Sequence, residues 1–218
     1  MKRTKRFGLL LALACTPARG EAQALWDSTA LAALFAGHRP AGQSGGYRED
    51  WFQAAQGGVI VGRHVLGHLK VELEATATCG GSQFVSRPIT LPGQPYPYWL
   101  TSTETTSVRS VGAVAAWQFR DNEWVHPFVL AGVTADFERT VAYTPEQFLN
   151  GDPRAGSLPQ RLSDGRTEET TAVRAGAVIG GGAKLYFREH AFVRSDVRLA
   201  VGRDQQNVAF RAGVGLDF

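Results

Sequence analysis

The chain has 218 residues, of which 44% are hydrophobic and 20% are charged. This balance is typical of a folded protein rather than a disordered one. No uninterrupted apolar stretch reaches the roughly 18 to 20 residues that a membrane-spanning helix needs, which excludes a helical membrane protein. The 25 glycines are scattered without a three-residue period, which excludes collagen.

The formal net charge of +3 originates in the first 24 positions. That segment contains five basic residues and one acidic residue, namely Lys2, Arg3, Lys5, Arg6, Arg19 and Glu21. The rest of the chain has 18 basic and 19 acidic residues, a net charge of −1. Nucleic acid is therefore not an expected partner.

Residues 1–24 have the pattern of a secretory signal peptide. Basic residues precede an apolar run from Phe7 to Cys15, and the small residues of Ala22-Gln23-Ala24 follow. We expect cleavage after Ala24, which would leave residues 25–218 as the mature domain. A short amphipathic first helix of the folded domain is an alternative.

The segment Ala12-Leu13-Ala14-Cys15 weakly resembles a lipoprotein signal, so acylation of Cys15 is a further alternative. If Cys15 is removed with the signal, Cys79 is the remaining cysteine. No intramolecular disulfide can then form.

Hydrophobic residues alternate with small or charged residues along most of the mature chain. At the C-terminus Val208, Phe210, Ala212, Val214, Leu216 and Phe218 alternate with Asn207, Ala209, Arg211, Gly213, Gly215 and Asp217. Because successive side chains of a β-strand point to opposite faces, this period predicts a strand between two different environments. The pattern predicts eight strands, over residues 28–38, 51–63, 69–77, 111–119, 125–137, 171–187, 191–201 and 207–218. A short helix is an alternative for residues 28–38.

The connections between these strands are short at one end and mostly long at the other. Short turns are expected at residues 63–67, 120–123 and 188–190, and the other connections at residues 39–50, 80–103, 140–169 and 203–206. This arrangement predicts an all-β fold, an eight-stranded antiparallel up-and-down transmembrane β-barrel. Its strands of about 9 to 11 residues match a tilted membrane crossing.

The polar face of the strands is expected to line the lumen. A soluble lipocalin-like barrel would turn that face to water, but the face is dominated by glycine and alanine with charges of both signs, which suits a cramped interior. Buried charges must be paired. We expect pairing among Glu72, Glu74, Asp136, Asp196, Lys70, Arg174, Lys184, Arg194, Arg198 and Arg211.

Aromatic residues are expected at both edges of the lipid-facing band. Phe119, Phe187 and Phe218 end strands at the short-turn end. Trp51, Phe52, Trp99 and Phe137 lie near the long-loop end. The alternative, in which aromatics fill a soluble core, remains open from the sequence.

The terminal strand ending Val214-Gly215-Leu216-Asp217-Phe218 is similar to that of the small outer-membrane β-barrels of the opacity-protein and OmpA-like group. The resemblance covers roughly residues 26–218. It implies a place in the outer membrane and recognition of the strand ending at Phe218 by the outer-membrane assembly machinery. We expect no periplasmic peptidoglycan-binding domain after Phe218.

No motif predicts a catalytic, cofactor-binding or metal-binding residue. Gly42-Gln43-Ser44-Gly45-Gly46 matches G-x-S-x-G but lacks the strand and helix of a nucleophile elbow. Gly180-Gly181-Gly182 before Lys184 lacks the end of a phosphate loop and indicates close packing. His64 and His68 straddle a turn, so they should diverge rather than share a metal.

We expect a non-enzymatic protein with a plugged lumen and a structural or surface-interaction role. The exterior loops 80–103 and 140–169 are the expected binding surface, because long loops often carry function. A narrow diffusion channel is one alternative. An enzyme acting on outer-membrane lipid is another, although Ser195 and His126 show no evident pairing. Expected partners are outer-membrane lipid and lipopolysaccharide, and the protein is expected to be a monomer.

Overall fold

The computed structural model describes residues 25–38, 47–48, 51–91, 97–119, 124–149, 160–203 and 206–218. The expected signal peptide 1–24, the turn 120–123 and the glycine-rich segment 42–46 lie outside these ranges. The described ranges contain no helix that is long and apolar enough to span a membrane. They form ten strands: β1 (Trp26–His38), β2 (Tyr47–Arg48), β3 (Trp51–Leu66), β4 (Leu69–Thr78), β5 (Gly81–Ile89), β6 (Tyr98–Gln118), β7 (Val125–Leu149), β8 (Gln160–Arg188), β9 (Ala191–Gly202) and β10 (Gln206–Asp217).

The strands close into an antiparallel barrel. Neighbours follow the order β6-β4-β3-β1-β10-β9-β8-β7, and the pairing of β6 with β7 closes the ring. Strand β5 continues β4 along the same partner, since β4 pairs Ala77 with Arg109 and β5 pairs Gly81 with Thr106 of β6. The offset of one residue falls at a bulge where Gly80 has a φ of 90°. In the same way β2 pairs with β5 just beyond β3. In the described chain β5 therefore extends β4, and β2 extends β3. The ten strands occupy eight positions around the barrel, and the predicted eight-stranded barrel is confirmed.

The alternation predicted from the sequence separates the two faces of the wall. In β10 the exposed fractions of Phe210, Val214 and Leu216 are 59%, 61% and 57%, whereas Arg211 is 5% exposed. A soluble barrel would bury the apolar side chains and expose the charges. The observed reversal is typical of a barrel whose outer surface contacts lipid.

The barrel wall has two heights. Strands β1, β3, β9 and β10 form a low wall, which ends near His38, Trp51, Gly202 and Gln206. Strands β5, β6, β7 and β8 rise above it, and β8 continues from its last pairing with β9, at Gly176, up to Gln160. These 16 residues span roughly 50 Å along the strand at about 3.3 Å per residue. We call the raised part, residues 81–89, 98–108, 138–149 and 160–175, the exterior sheet.

The exterior sheet corrects two predictions. The sequence predicts loops over residues 80–103 and 140–169, but most of both ranges pair as β-strands. They are rich in threonine and in charges, and their scattered aromatic and aliphatic residues do not alternate regularly with polar ones. The apolar alternation that marks a half-buried strand is therefore missing, although the β-branched threonines favour the extended conformation.

Aromatic side chains mark the edges of the apolar band, with two exceptions. Phe119, Phe187 and Phe218 are exposed at the short-turn end, and Trp51 and Phe137 are exposed at the other end. Phe52 is instead 1% exposed. It lies inside the lumen, because the inward positions of β3 are the even-numbered ones. Trp99 lies higher, in the exterior sheet, opposite Pro88.

The glycines of β8 allow this strand to lie close to the side chains of its neighbour β9. Gly180 and Gly182 pair directly with Arg198 and Asp196 of β9. A Cβ atom on Gly182 would lie 2.6 Å from the Cβ of Asp196 and would clash with the backbone oxygen of Ser195. The expectation that Gly180-Gly181-Gly182 reflects packing rather than phosphate binding agrees with these contacts.

Candidate functional sites in the lumen and the exterior sheet

An ion cluster fills the lumen near the short-turn end. The Nζ atom of Lys70 donates to Oδ2 of Asp27 at 2.5 Å, and Lys184 donates to the same oxygen. Both lysine side chains are 0% exposed and that of Asp27 is 1% exposed. The Lys184 ammonium also lies 4.0 Å from the ring centroid of Phe192. Two buried cations therefore share one carboxylate, which makes Asp27 the central residue of this cluster.

A second ion cluster lies directly above the first. The Arg194 guanidinium donates to both carboxylate oxygens of Glu72, at 2.7 and 3.0 Å, and to Asp196 at 2.8 Å. Lys70 lies 2.6 Å from Glu72 and so links the two clusters. Such bidentate, charge-assisted bonds are strong and fix the position of both groups.

The second cluster continues upward through two more arginines. Arg211 contacts Glu74 at 3.0 Å and Asp196 at 2.8 Å. Arg198 donates to Glu74 and contacts Asp196 at 3.2 Å. Every charge in the two clusters faces an opposite charge, so the network can persist away from water. We call the two clusters together the lumen plug: Asp27, Lys70, Glu72, Glu74, Lys184, Arg194, Asp196, Arg198 and Arg211.

Apolar side chains also occupy the lumen, which the sequence analysis did not predict. One buried group is Val114, Ala116, Phe128, Leu130 and Val178, and a second is Phe35, Phe52, Val108 and Ala209. The Phe128 ring lies against the Arg194 guanidinium, with 4.5 Å from its centroid to Cζ. The interior is therefore part ionic and part hydrocarbon, rather than glycine and ions alone.

The lumen above the plug leaves little space. A cavity of about 50 Å³ lies among Glu74, Arg198, Arg211, Asp136 and Asn207. This volume is enough for a few water molecules, but it is small for a solute. Asn207 donates to Asp136 at 3.2 Å beside the cavity.

Most of the predicted interior charges lie in the plug, and the remainder lie above it. Asp136 accepts from Thr134 at 3.0 Å, and Arg174 donates to Glu138 at 3.2 Å. Four further carboxylates face the interior and were not predicted from the sequence: Asp27, Glu104, Glu138 and Asp217. Asp27 stands one residue before the predicted start of its strand, and Glu138 stands one residue after the predicted end of its strand.

The exterior sheet has a concave polar face toward the barrel axis. A cavity of about 330 Å³ lies on it, with arginines, carboxylates and hydroxyls in its lining: Arg87, Leu100, Ser102, Ala142, Thr144, Leu162, Ser163, Asp164, Arg166 and Glu168. Arg166 contacts Glu168 at 2.8 Å. Because its charges have both signs, the cavity does not select one sign of ligand.

The opposite, convex face of the exterior sheet exposes aromatic side chains. Phe84 is 45% exposed, Trp99 51% and Tyr143 53%. Thr103 pairs with both Phe84 and Tyr143 across the strands. Exposed aromatics of this kind are enriched at protein interaction sites.

The catalytic candidates are kept apart by the barrel wall. His126 and Pro127 of β7 pair with Lys184 and Ala183 of β8, and Ala183 pairs with Ser195. The pleat places Ser195 on the outer face and the His126 ring inside, 4.7 Å from the Tyr186 ring. Nδ1 of His68 lies 2.9 Å from the Gln118 carbonyl oxygen. Across the described residues, no group of three or more His, Cys, Asp or Glu side chains is arranged to hold a metal ion.

Comparison with known proteins identifies the fold. No protein-family model and no curated protein sequence matches the chain. The chain is similar in structure to Ail, the attachment invasion locus protein of Yersinia pestis, with 13% identity and a TM-score of 0.51 over 90% of this chain and 100% of that one. For Neisserial surface protein A the values are 14%, 0.52, 88% and 97%. For the outer membrane protein OprG from Pseudomonas aeruginosa they are 12%, 0.51, 89% and 96%. The chain therefore has the fold of the small outer-membrane β-barrels.

Proposed function

We propose that this protein is a non-enzymatic barrel of the bacterial outer membrane with a closed lumen, and that its exterior sheet provides a surface-interaction role. The observation that carries the proposal is the contrast between the two regions. The plug residues Lys70, Glu72 and Lys184 are 0% exposed, whereas the exterior sheet exposes polar and aromatic groups. The accessible chemistry therefore lies outside the barrel.

The closed lumen predicts that the protein conducts almost no ions. A water-filled pore would leave its lining charges accessible, but the side chains of both plug lysines are 0% exposed. Purified protein in a planar bilayer is expected to give conductance near zero. Stable nanosiemens-scale steps would instead support the narrow diffusion channel.

A hairpin replacement tests the surface role. Thr140 pairs with Thr170, so residues 141–169 can be replaced by Asn-Gly, which favours a two-residue hairpin turn. The barrel should fold as before, and binding to a cell surface should be lost. Cultured animal cells are a suitable probe, since Ail is named as an attachment protein. Replacing residues 82–105, between the paired Gly81 and Thr106, is the matched variant for the other hairpin. Unchanged attachment of both variants would overturn the surface role.

Outer-membrane lipid and lipopolysaccharide are the proposed surroundings of the outer face. Exposed apolar residues such as Val133 at 62% and Leu34 at 72% support contact with acyl chains. Fractionation should recover the protein with the outer membrane. Its insertion by the assembly machinery should depend on the strand that ends at Phe218. Recovery as a detergent-free monomer from the periplasm would overturn this location.

The enzyme alternative has less support. Ser195 and His126 are separated by the wall. A lipid-hydrolase assay on refolded protein is expected to show no turnover above the background, and measurable hydrolysis would favour the enzyme.

A further inference from the structure

Strand β8 has a long edge without a neighbouring strand. It pairs with β7 from Leu185 up to Gln160. It pairs with β9 only from Arg188 up to Gly176. In the part of the chain that the structure describes, no strand pairs with the second edge of residues 160–175.

The register identifies the polar groups on this edge. The backbone N–H of Tyr186 donates to the backbone oxygen of Trp124, the residue before β7, at 2.8 Å. In an antiparallel strand the N–H and C=O of one residue point to the same side, and successive residues alternate. The pairing of β8 with β7 keeps one register from Leu185 to Arg166, so even-numbered residues bond to β7. The odd-numbered residues of the raised part therefore direct their backbone groups away from β7: Thr167, Glu169, Thr171 and Val173.

This edge lacks the features that usually prevent strand pairing. Proline, lysine and unpaired inward charges commonly block exposed edges, yet residues 160–175 contain neither proline nor lysine. All six charged residues of the segment form ion pairs: Arg161 with Glu146 and Asp164, Arg166 with Glu168, Glu169 with Arg139, and Arg174 with Glu138. An approaching strand would meet little net charge.

We infer that residues 166–174 of β8 bind an extended segment of a partner polypeptide, which adds to the exterior sheet as a further strand. Main-chain hydrogen bonds to Thr167, Glu169, Thr171 and Val173 would provide the affinity, as in other strand-addition complexes. Because the edge charges are already paired, a segment with little net charge and with β-branched residues fits it best. This inference deepens the proposed surface role and rests on it.

The probe is a peptide with the sequence of residues 136–144. This segment of β7 already pairs antiparallel with residues 166–174 on their other side, so its side chains are compatible with those of β8. Two further peptides carry backbone N-methyl groups at alternate residues, one peptide at the even positions and the other at the odd positions. Strand addition should tolerate one methylated peptide and reject the other, since only one set of amides faces β8. Equal binding of both methylated peptides, or no binding of the unmodified one, would overturn the inference.

Two variants of Thr171 test the edge on the protein side. Thr171→Pro removes one outward N–H and leaves the bonds to β7, whereas Thr171→Val keeps the N–H and the β-branched shape. In refolded full-length protein, the proline variant should weaken peptide binding by about tenfold or more, and the valine variant should bind as the parent does. Equal binding by the two variants would count against the edge. Should the proline variant fail to fold, hydrogen exchange on the parent protein decides the matter.

Hydrogen exchange locates the contact without a substitution. Amides of the odd-numbered residues 167–173 should exchange fast in the protein alone and slowly with the peptide, whereas the even-numbered ones should be slow in both. If the odd amides are already slow and the protein elutes as a dimer, the edge binds a second copy and the inference is overturned. If hairpin replacement abolishes cell attachment while peptide addition fails, the surface role stands and the edge contact falls.

Discussion

At the scale of single residues, we expect a substitution of Asp27 to have a large effect on the stability of the barrel. Asp27→Asn would leave Lys70 and Lys184, both 0% exposed, without the carboxylate that they share. Loss of one partner from a buried ion pair costs about 3–5 kcal/mol, so we expect a large fall in the free energy of unfolding, measured by urea titration in lipid vesicles. Asp164→Asn is the control, because its side chain is 83% exposed in a surface pair and such pairs contribute about 0–1 kcal/mol. Equal losses from the two variants would contradict the central position of Asp27.

The Arg139–Glu169 pair predicts a pH effect outside the membrane-spanning part. Arg139 donates two hydrogen bonds of 2.7 Å to Glu169. These bonds, and then the positive charge, hold the pKa of Glu169 below its ordinary value of 4.5. A carboxylate whose pKa is lower in the folded state contributes its stability above the unfolded pKa and loses it as the pH falls through the folded pKa.

A carboxyl titration by NMR should therefore find the midpoint for Glu169 below 4.5. In Arg139→Gln the midpoint should return toward that value, because the hydrogen bonds and the charge are removed together. An unchanged midpoint would show that the pair does not form in solution.

At the scale of the elements, the approach of β8 to β9 depends on glycine. Gly182→Ala would place a Cβ against the backbone oxygen of Ser195, and backbone cannot move aside cheaply. We expect a loss of about 1–3 kcal/mol in the free energy of unfolding, as for other overpacked interiors. Gly67→Ala is the matched control, because nothing lies within 4 Å of a Cβ built there. If both variants unfold at the same urea concentration, the close approach is not as described.

The sequence predicts those elements whose two faces meet different environments. Strand β10 is an example, since Phe210 faces lipid and Arg211 faces the plug. The exterior sheet could not be predicted in this way, because both of its faces carry many polar side chains and its few apolar residues keep no regular period. The role of Asp27 does not follow from the sequence for a different reason. Asp27 precedes the predicted strand, which begins at Ser28, and only the closed barrel brings it next to Lys184, 157 residues away.

At the scale of the whole molecule, closure of the ring predicts resistance to denaturation. The pairing of β1 with β10 joins the first strand of the barrel to the last, so the described part of the membrane-spanning wall has no open edge from which it could unravel. Unboiled protein in detergent should therefore migrate differently on a gel from boiled protein. Identical migration of the two samples would show that the refolded chain does not form a closed barrel.

Because the barrel wall has two heights, opposite sides of the molecule present different surfaces above the membrane. A neighbouring molecule that approaches in the plane of the membrane from the side of β9 and β10 passes over the low wall. It then meets the concave polar face of the exterior sheet, with Arg166 and Glu168. A neighbouring molecule from the opposite side meets the convex face of the exterior sheet, where Phe84 and Tyr143 are exposed. Contacts with neighbouring molecules should therefore depend on the side of the barrel from which the neighbour approaches.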